Sequence, residues 1–289
     1  MEKWPNFFIV GAPKAGTTSL YWYLSQIQGI YMSSIKEPNY FSSRTIPNNS
    51  RLRPIRNKEE YLDLFENVKD EKIIGEASPL YLSDPDAPKL IHEIIPNAKI
   101  LISLRDPVER LFSHYLMYVQ FGFLKPSFHQ ELKNALKNTR NPDILPFRLE
   151  LGYYSEAIKR YLDVFEPKQV KIIIFEEWIK NPKGTVEEIL QFLDSNQEIT
   201  DFKSEIKNPF DAMPRPGLRF VLKNQTIRKI TRFVISRSTG TFLKNKILLK
   251  NQPKLEIDQE SRLILVKIYR DDVKNLETIL GRKLPWPNF

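Results

Sequence analysis

The sequence predicts an α/β protein of three layers, in which a mainly parallel β-sheet is flanked by helices on both faces. Short apolar runs rich in β-favouring residues alternate with amphipathic helical patterns, as expected of a chain built from β–α–β units. The predicted strands are Phe7–Val10, Lys72–Gly75, Ile100–Leu104 and Val170–Phe175. The predicted helices are Asp86–Ile95, Gly152–Phe165, Pro182–Leu193 and a last helix capped by Asp258 and ended by Gly281.

The length of 289 residues and the hydrophobic content of 41% are enough for one large domain with a substantial core. We therefore expect a single domain over residues 1–289. Two variable segments, near residues 44–70 and 199–253, fit the alternating pattern poorly. Such segments inside a compact domain are typically binding loops or insertions.

The composition excludes several classes of protein. The chain has no cysteine, so it has no disulfide, thiolate nucleophile or thiolate metal ligand, and its three histidines argue against a histidine-rich metal site. We expect no metal. No leader pattern or apolar run of membrane-spanning length occurs, which predicts a cytoplasmic protein without a membrane partner. The net charge of +9 is concentrated in the last third and favours an anionic ligand, although a solvated basic face explains it equally well.

The first motif is the glycine-rich segment Gly11–Ser19, which follows the first predicted strand and opens a helix. A helix amino terminus presents backbone N–H groups and the positive end of the helix dipole, and both favour an anion. Gly11 and Gly16 have the spacing of the nucleotide triphosphate loop, but the lysine of that loop follows its second glycine. Here the lysine is Lys14, inside the loop, so the sequence predicts a P-loop-like fold with a different phosphate-bearing donor.

The second motif begins at Arg105, directly after the predicted strand Ile100–Leu104. Open α/β sheets bind ligands at the carboxyl ends of their strands. Asp106 to Glu109 has the pattern of a capped helix start, and Arg110 and Ser113 share one face of that helix. Arg105 and Ser113 could bind a second phosphate, because the guanidinium group suits phosphate oxygens. The alternative is that Arg105 pairs with a local carboxylate.

These two motifs, in this order, resemble the nucleotide-binding motifs of the sulfotransferases that use PAPS (3′-phosphoadenosine 5′-phosphosulfate). The resemblance is to the heparan sulfate sulfotransferase-like branch and its bacterial relatives. It extends to three further segments, Lys36–Phe41, Gly75–Tyr81 and Gly281–Trp286. It covers about two thirds of the chain and fails in residues 44–70, 123–150 and 196–250.

The resemblance implies that the loop binds the 5′-phosphosulfate and that Arg105 and Ser113 bind the 3′-phosphate. The implied cofactor-binding residues are Lys14, Ala15, Gly16, Thr17, Thr18, Ser19, Arg105, Ser113 and, by a looser match, Lys250. Lys14 would stabilise the charge on the leaving oxygen as the product PAP departs, since positioning and charge stabilisation dominate such transfers.

The acceptor must lose a proton, and the resemblance places the base at Glu37. The alternative is that Glu37 forms an ordinary surface ion pair. Relatives often carry histidine where this chain has Asn39, and His114 is the rival base. Some relatives that act on glycans carry lysine at the position of Ala77.

The sequence thus predicts a sulfotransferase that moves a sulfuryl group from PAPS to a hydroxyl or nitrogen. Because Asn39 and Ala77 depart from the glycan-type pattern, we expect a small, natural-product-like acceptor, bound by the two variable segments. A glycan sulfotransferase is the alternative, followed by a P-loop kinase or a non-enzymatic module that binds a polyanion. No nucleic-acid partner is expected, and the oligomeric state is left open.

Overall fold

The computed structural model of the protein describes residues 2–43, 54–120, 123–124, 127–137, 148–197, 199, 202, 213–214, 249–250 and 255–289. The first variable segment is therefore described from residue 54 onward, and most of the second lies outside the described residues.

A five-stranded parallel sheet organises the fold. Its strands are β1 (Phe7–Gly11), β2 (Ile30–Met32), β3 (Ile73–Ala77), β4 (Lys99–Leu104) and β5 (Val170–Ile174), in the spatial order β2-β3-β1-β4-β5. Each neighbouring pair is parallel. The predicted α/β fold is confirmed, and so are the four predicted strands to within a few residues. The short edge strand β2 was not predicted from the sequence.

The described helices are α1 (Thr17–Leu24), α2 (Lys58–Leu62), α3 (Ala87–Ile94), α4 (Pro107–Gln120), α5 (Phe128–Lys137), α6 (Ser155–Leu162), α7 (Phe175–Trp178), α8 (Pro182–Phe192) and α9 (Gln259–Leu280). Single 3₁₀ turns occur at Asp63–Phe65, Pro79–Ser83, Leu149–Gly152 and Pro167–Gln169. A further two-residue antiparallel pair joins β6 (Met213–Pro214) to β7 (Leu249–Lys250). No helix among the described residues is long and apolar enough to cross a membrane.

The predicted helix Gly152–Phe165 begins later than expected, at Ser155. The Asp272 carboxylate of α9 accepts hydrogen bonds from the Tyr154 and Ser155 N–H groups at 2.7 and 3.1 Å. It also accepts the Ser155 hydroxyl at 2.5 Å. The start of α6 is therefore set by a carboxylate that is remote in the sequence, which local pattern could not reveal.

Central strand β1 carries the hydrophobic core. All five of its residues are buried. Phe7 and Ile9 face a cluster that includes residues of α1 and α8. Phe8, one position out of phase, packs against Phe41 with ring centroids 5.7 Å apart. A strand buried on both faces is typical of the centre of a parallel sheet.

The chain divides into two compact units. The first comprises Met1–Arg110, Glu150–Asn208 and Tyr269–Phe289, and it contains the five-stranded sheet. The second comprises Leu111–Leu149 and Pro209–Ile268. Within the second, the rings of Phe112, Tyr115 and Phe128 pack 5.0–5.8 Å apart. The single-domain organisation stays a prediction.

Candidate active site

The carboxyl ends of β1 and β4 define the candidate site. These neighbouring strands continue in opposite directions, because the chain leaves β1 toward β2 and leaves β4 toward β5. Ligands of open α/β sheets bind in the crevice at such a switch point. The loop with Lys14 follows β1, and Arg105 follows β4. Arg105 Nη1 donates to the Lys14 carbonyl oxygen at 3.1 Å, so the structure brings the two predicted motifs together.

Ser103 ties the loop to β4. The Ala12 N–H donates to the Ser103 carbonyl at 2.6 Å, and Ser103 Oγ donates to the Ala15 carbonyl at 2.7 Å. The Trp178 indole N–H donates in turn to Ser103 Oγ at 3.0 Å. Ser103 and Trp178 were not singled out from the sequence. The one available signal was a hydroxyl in the middle of an otherwise apolar strand.

Gly16 is required by both conformation and space. Its φ of 80° lies in the left-handed region, and an added Cβ would lie 2.2 Å from Trp178 Cζ2. Helix α1 begins at the next residue, with no side-chain cap at Gly16 and no acidic residue in its first turn. This helix end can therefore receive an external anion. Thr17 and Ser19 are buried, while Thr18 is partly exposed.

The surroundings of Lys14 disfavour the charged form of its side chain. Burial, the largest cause, and the nearby positive charge of Arg105 together lower the pKa of its ammonium to about 8. The negative charge of Glu37 acts in the opposite direction, which shows that the two predicted catalytic residues are electrostatically coupled. A bound anion would stabilise the charged ammonium.

Glu37 lies beside the end of β3. Its N–H donates to the Ala77 carbonyl at 3.0 Å, and its φ is 65°. Lys36 Nζ contacts Glu37 Oε1 at 2.5 Å, and the Glu37 side chain is 35% exposed. The predicted alternative, an ion pair with the preceding lysine, is therefore present. It is compatible with catalysis, because the carboxylate stays accessible.

Asn39 supports the backbone that carries Glu37. It is buried, and its Nδ2 donates to the Glu37 carbonyl at 2.7 Å. Its own N–H donates to Ser78 Oγ at 3.0 Å. Asn39 Oδ1 is buried without a hydrogen-bond partner within the described part of the chain. Asn39 therefore orients the loop, as an amide can, without being a base.

Arg105 is held so that its guanidinium remains available. Its Cζ lies 4.7 Å from the centroid of the Phe175 ring, and its carbonyl accepts the Tyr154 hydroxyl at 2.9 Å. Burial lowers the pKa of Arg105. Among the described residues, no carboxylate lies within 4.0 Å of this guanidinium, and Nε is buried without a partner. Among the described residues, Arg105 therefore does not form the ion pair with a local carboxylate that was the alternative prediction.

The structure gives less detail for the other predicted site residues, which are Ser113, His114 and Lys250. Ser113 and His114 lie on α4 in the second unit, the first partly exposed and the second buried. His114 packs against Tyr118, with ring centroids 5.1 Å apart. Lys250 lies on β7, where it pairs with Met213, and its side chain lies outside the described residues. The roles of Ser113, His114 and Lys250 stay predictions.

Fold and site together define a P-loop-like α/β protein with a glycine-rich loop and a basic crevice. The protein-family model of the sulfotransferase domain matches residues 5–208 of this chain. The solved sulfotransferase from Alicyclobacillus acidocaldarius is 31% identical, with a TM-score of 0.72 and coverage of 98% of each chain. The sulfotransferase domain from the curacin biosynthetic pathway shares the fold at 15% identity, with a TM-score of 0.51 and coverage of 99% and 100%.

Two curated relatives are also similar. Carbohydrate sulfotransferase 15 of Homo sapiens is 30% identical over 244 residues, which cover 65% of this chain and 43% of the relative. Bifunctional heparan sulfate N-deacetylase/N-sulfotransferase 3 of Homo sapiens is 29% identical over 66% of this chain and 22% of its own length. The chain thus spans less than half the length of these relatives. It belongs to the sulfotransferase family, as the two motifs predicted.

Proposed function

We propose that this protein transfers a sulfuryl group from PAPS to a hydroxyl or nitrogen of an acceptor. The observation that carries the proposal is the contact between Arg105 and the Lys14 carbonyl at the switch point of the sheet. It places two cations at adjacent strand ends, beside a helix terminus that no side chain caps. A donor with a 5′-phosphosulfate and a 3′-phosphate fits this arrangement, because each anionic group would meet one of the two cations.

The residues of the loop supply charge where it is needed. Backbone N–H groups from Lys14 to Ser19 would hold the 5′-phosphosulfate, and Arg105 with Ser113 would hold the 3′-phosphate. The bond that breaks joins the sulfur to the bridging oxygen, which gains negative charge. The Lys14 ammonium would stabilise that charge, because burial reduces its hydration and so strengthens its attraction to a nearby anion.

Glu37 is the proposed base. It would accept the proton that the acceptor loses as its oxygen or nitrogen bonds to the sulfur. Its coupling to Lys14 and its accessible carboxylate support this role. Asn39 would hold the Glu37 backbone through the carbonyl contact at 2.7 Å. The proposed end products are PAP and the sulfated acceptor.

We keep a small molecule as the proposed acceptor and a glycan as the second candidate. Ala77 is fully buried and supplies no cation toward an anionic sugar chain, which supports the small molecule. The names of two relatives, a carbohydrate and a heparan sulfate sulfotransferase, support the glycan. A panel that contains phenols, amines, desulfated heparan and chondroitin, incubated with radiolabelled PAPS, distinguishes the two by which fraction carries the label.

The donor is tested separately by binding. PAP should raise the melting temperature of the protein, whereas ATP with magnesium should raise it less. No response to PAP in melting or calorimetry would refute the proposal, and magnesium-dependent ATP turnover would establish the kinase alternative. Salt-sensitive heparin binding without a PAP response would establish the polyanion-binding module.

Two further features belong to the proposal. No group of three His, Cys, Asp or Glu side chains in the described ranges could hold a metal ion. Metal-independent turnover remains a prediction, and unchanged turnover after treatment with EDTA would support it. A cytoplasmic location likewise remains a prediction, and fractionation of the producing cells tests it.

A further inference from the structure

The segment that follows α9 packs against the turn between β4 and α4. Trp286 is 2% exposed, and its indole N–H donates to Glu176 Oε2 at 3.0 Å. Two residues later, Asn288 Nδ2 donates to Asp106 Oδ2 at 2.5 Å. Both acceptors are carboxylates beside Arg105, and both donors come from this one segment.

Glu176 and Asp106 are joined directly as well. The Asp106 N–H donates to Glu176 Oε1 at 3.1 Å. In a capping box this N–H would have been paired with Glu109. Asp106 Oδ1 accepts the Val108 N–H at 2.9 Å and so caps α4, as the sequence predicted. Asp106 is thus held by its backbone through Glu176 and by its side chain through Asn288.

These contacts surround the backbone of Arg105. The Arg105 carbonyl accepts the Tyr154 hydroxyl, and the Tyr154 ring lies 6.1 Å from the Trp286 ring. The guanidinium lies over Phe175, the residue before Glu176. Trp286 therefore contacts the supports of Arg105 from both the α7 side and the Tyr154 side.

The hydrogen bonds to Glu176 also have an electrostatic consequence. Among the charges near Arg105, Glu176 is the one that attracts its guanidinium most strongly. Each Glu176 oxygen already accepts one N–H, from Asp106 and from Trp286. If the indole N–H were removed, a partly buried carboxylate oxygen would lose its donor, and the Arg105 guanidinium, which Glu176 already attracts, would be a replacement donor. An Arg105–Glu176 ion pair would compete with a bound phosphate.

We propose that Trp286 and Asn288 are positioning residues that keep Arg105 available for the 3′-phosphate of the donor, acting through Glu176 and Asp106. This inference rests on the proposed function, in which Arg105 binds that phosphate. It makes the segment after α9 a determinant of the preference for a 3′-phosphorylated nucleotide over the same nucleotide without that group.

The test compares binding of PAP with binding of AMP, which lacks the 3′-phosphate, by calorimetry. Trp286→Phe keeps an aromatic ring but removes the N–H. We expect it to weaken PAP about tenfold, as for the loss of one hydrogen bond to a charged group, and to change AMP affinity less than about twofold. Asn288→Ala, at a more exposed position, should also weaken PAP more than AMP. It replaces Trp286→Phe in the test if that variant does not fold.

A second substitution separates positioning from packing. In the Trp286→Phe background, Glu176→Gln removes the charge that would capture Arg105, while its amide oxygen can still accept the Asp106 N–H. PAP affinity should then recover. The matched control is Asn181→Ala, which removes a side-chain cap from α8, where Asn181 Oδ1 accepts the Gly184 N–H at 3.1 Å. It should change neither affinity.

The outcomes are distinct. Equal weakening of PAP and AMP, unchanged PAP affinity, or no recovery in the double variant would each overturn the inference. Arg105→Ala tests the underlying proposal, and it should abolish the preference for PAP over AMP. If Arg105→Ala retains that preference, the assignment of Arg105 to the 3′-phosphate is wrong, whatever the Trp286 variants do.

Discussion

Arg105 Nη1 and the carbonyl oxygen of Lys14 lie 3.1 Å apart, so the two motifs form one structural unit although 91 positions separate them. The contact fixes the backbone of the lysine that the sequence identified as displaced. It also brings the Arg105 charge close enough to lower the pKa of Lys14. In the proposed site, the 5′-phosphosulfate would meet the Lys14 ammonium and the 3′-phosphate the Arg105 guanidinium, so that one donor molecule would engage both charges.

The pH dependence of donor use should report the state of Lys14. Its ammonium has a pKa of about 8 in the ligand-free protein, lowered first by burial. The lysine is therefore charged below about pH 8 and loses its charge as the pH rises through that value. Because kcat/KM reports the free enzyme, kcat/KM for PAPS should fall above about pH 8.

Variants of Lys14 test this assignment. Lys14→Met should lower kcat about 10²–10³-fold, the typical cost of removing one stabilising donor, and should abolish the fall near pH 8. Lys14→Arg keeps its charge across this range and should move the fall to higher pH. Lys89→Met, at an exposed position on α3, is the control. A wild-type fall that persists in Lys14→Met would assign it to another group.

Glu37→Gln should separate binding from turnover. The amide keeps the shape of the side chain but cannot accept the acceptor proton, so turnover should fall about 10²–10⁴-fold. PAP affinity should stay within about twofold, since the variant removes no donor to the nucleotide. Glu93→Gln, at an exposed position on α3, serves as the matched control. Unchanged turnover in Glu37→Gln would move the base elsewhere, and His114→Ala would be measured next.

Gly16→Ala should damage the loop more than its backbone conformation alone predicts. Both Gly16 and Gly281 have positive φ, 80° and 65°, but only the first has a neighbour in the way of a Cβ. Strain at φ should cost about 1 kcal/mol in each variant, and the contact with Trp178 should bring the cost for Gly16→Ala to roughly 3 kcal/mol. Urea unfolding measures both values.

The comparison has a functional readout as well. Gly16→Ala should abolish PAP binding. The added methyl group would displace the backbone at residue 16, and the first turn of α1, which is proposed to bind the 5′-phosphosulfate, begins at the next residue. Gly281→Ala should retain PAP binding. If Gly16→Ala and Gly281→Ala lower the free energy of unfolding by similar amounts, the Trp178 ring moves aside at little cost.

The sequence predicted the elements of the site better than their supports. Runs such as Phe7–Val10 and the motifs at Lys14 and Arg105 are local patterns, and the fold placed them close to expectation. The three-residue strand β2 is too short to give a periodic signal. The contact between Trp286 and Glu176 joins positions 110 apart, so no local pattern could reveal it. Such supports depend on the packed tertiary structure.

Glu76 carries a buried carboxyl group inside the sheet. It is fully buried on β3, and Tyr61 donates its hydroxyl to Glu76 Oε2 at 2.9 Å. Burial raises the pKa of this carboxyl from 4.5 to about 7, although hydrogen bonds from Tyr61 and Tyr81 oppose the shift. The folded protein therefore holds a proton that the unfolded chain releases at lower pH.

Stability should consequently fall as the pH rises between 4.5 and about 7, and change little from this cause above that window. The loss should approach roughly 3 kcal/mol, since each pKa unit corresponds to about 1.4 kcal/mol. Glu76→Gln cannot ionise, and its amide oxygen can still accept the Tyr61 hydroxyl. Its free energy of unfolding, measured in urea at a series of pH values, should lack this fall. Glu93→Gln, at an exposed position on α3, should keep it. Parallel profiles for wild type and Glu76→Gln would show that folding does not raise the pKa of Glu76.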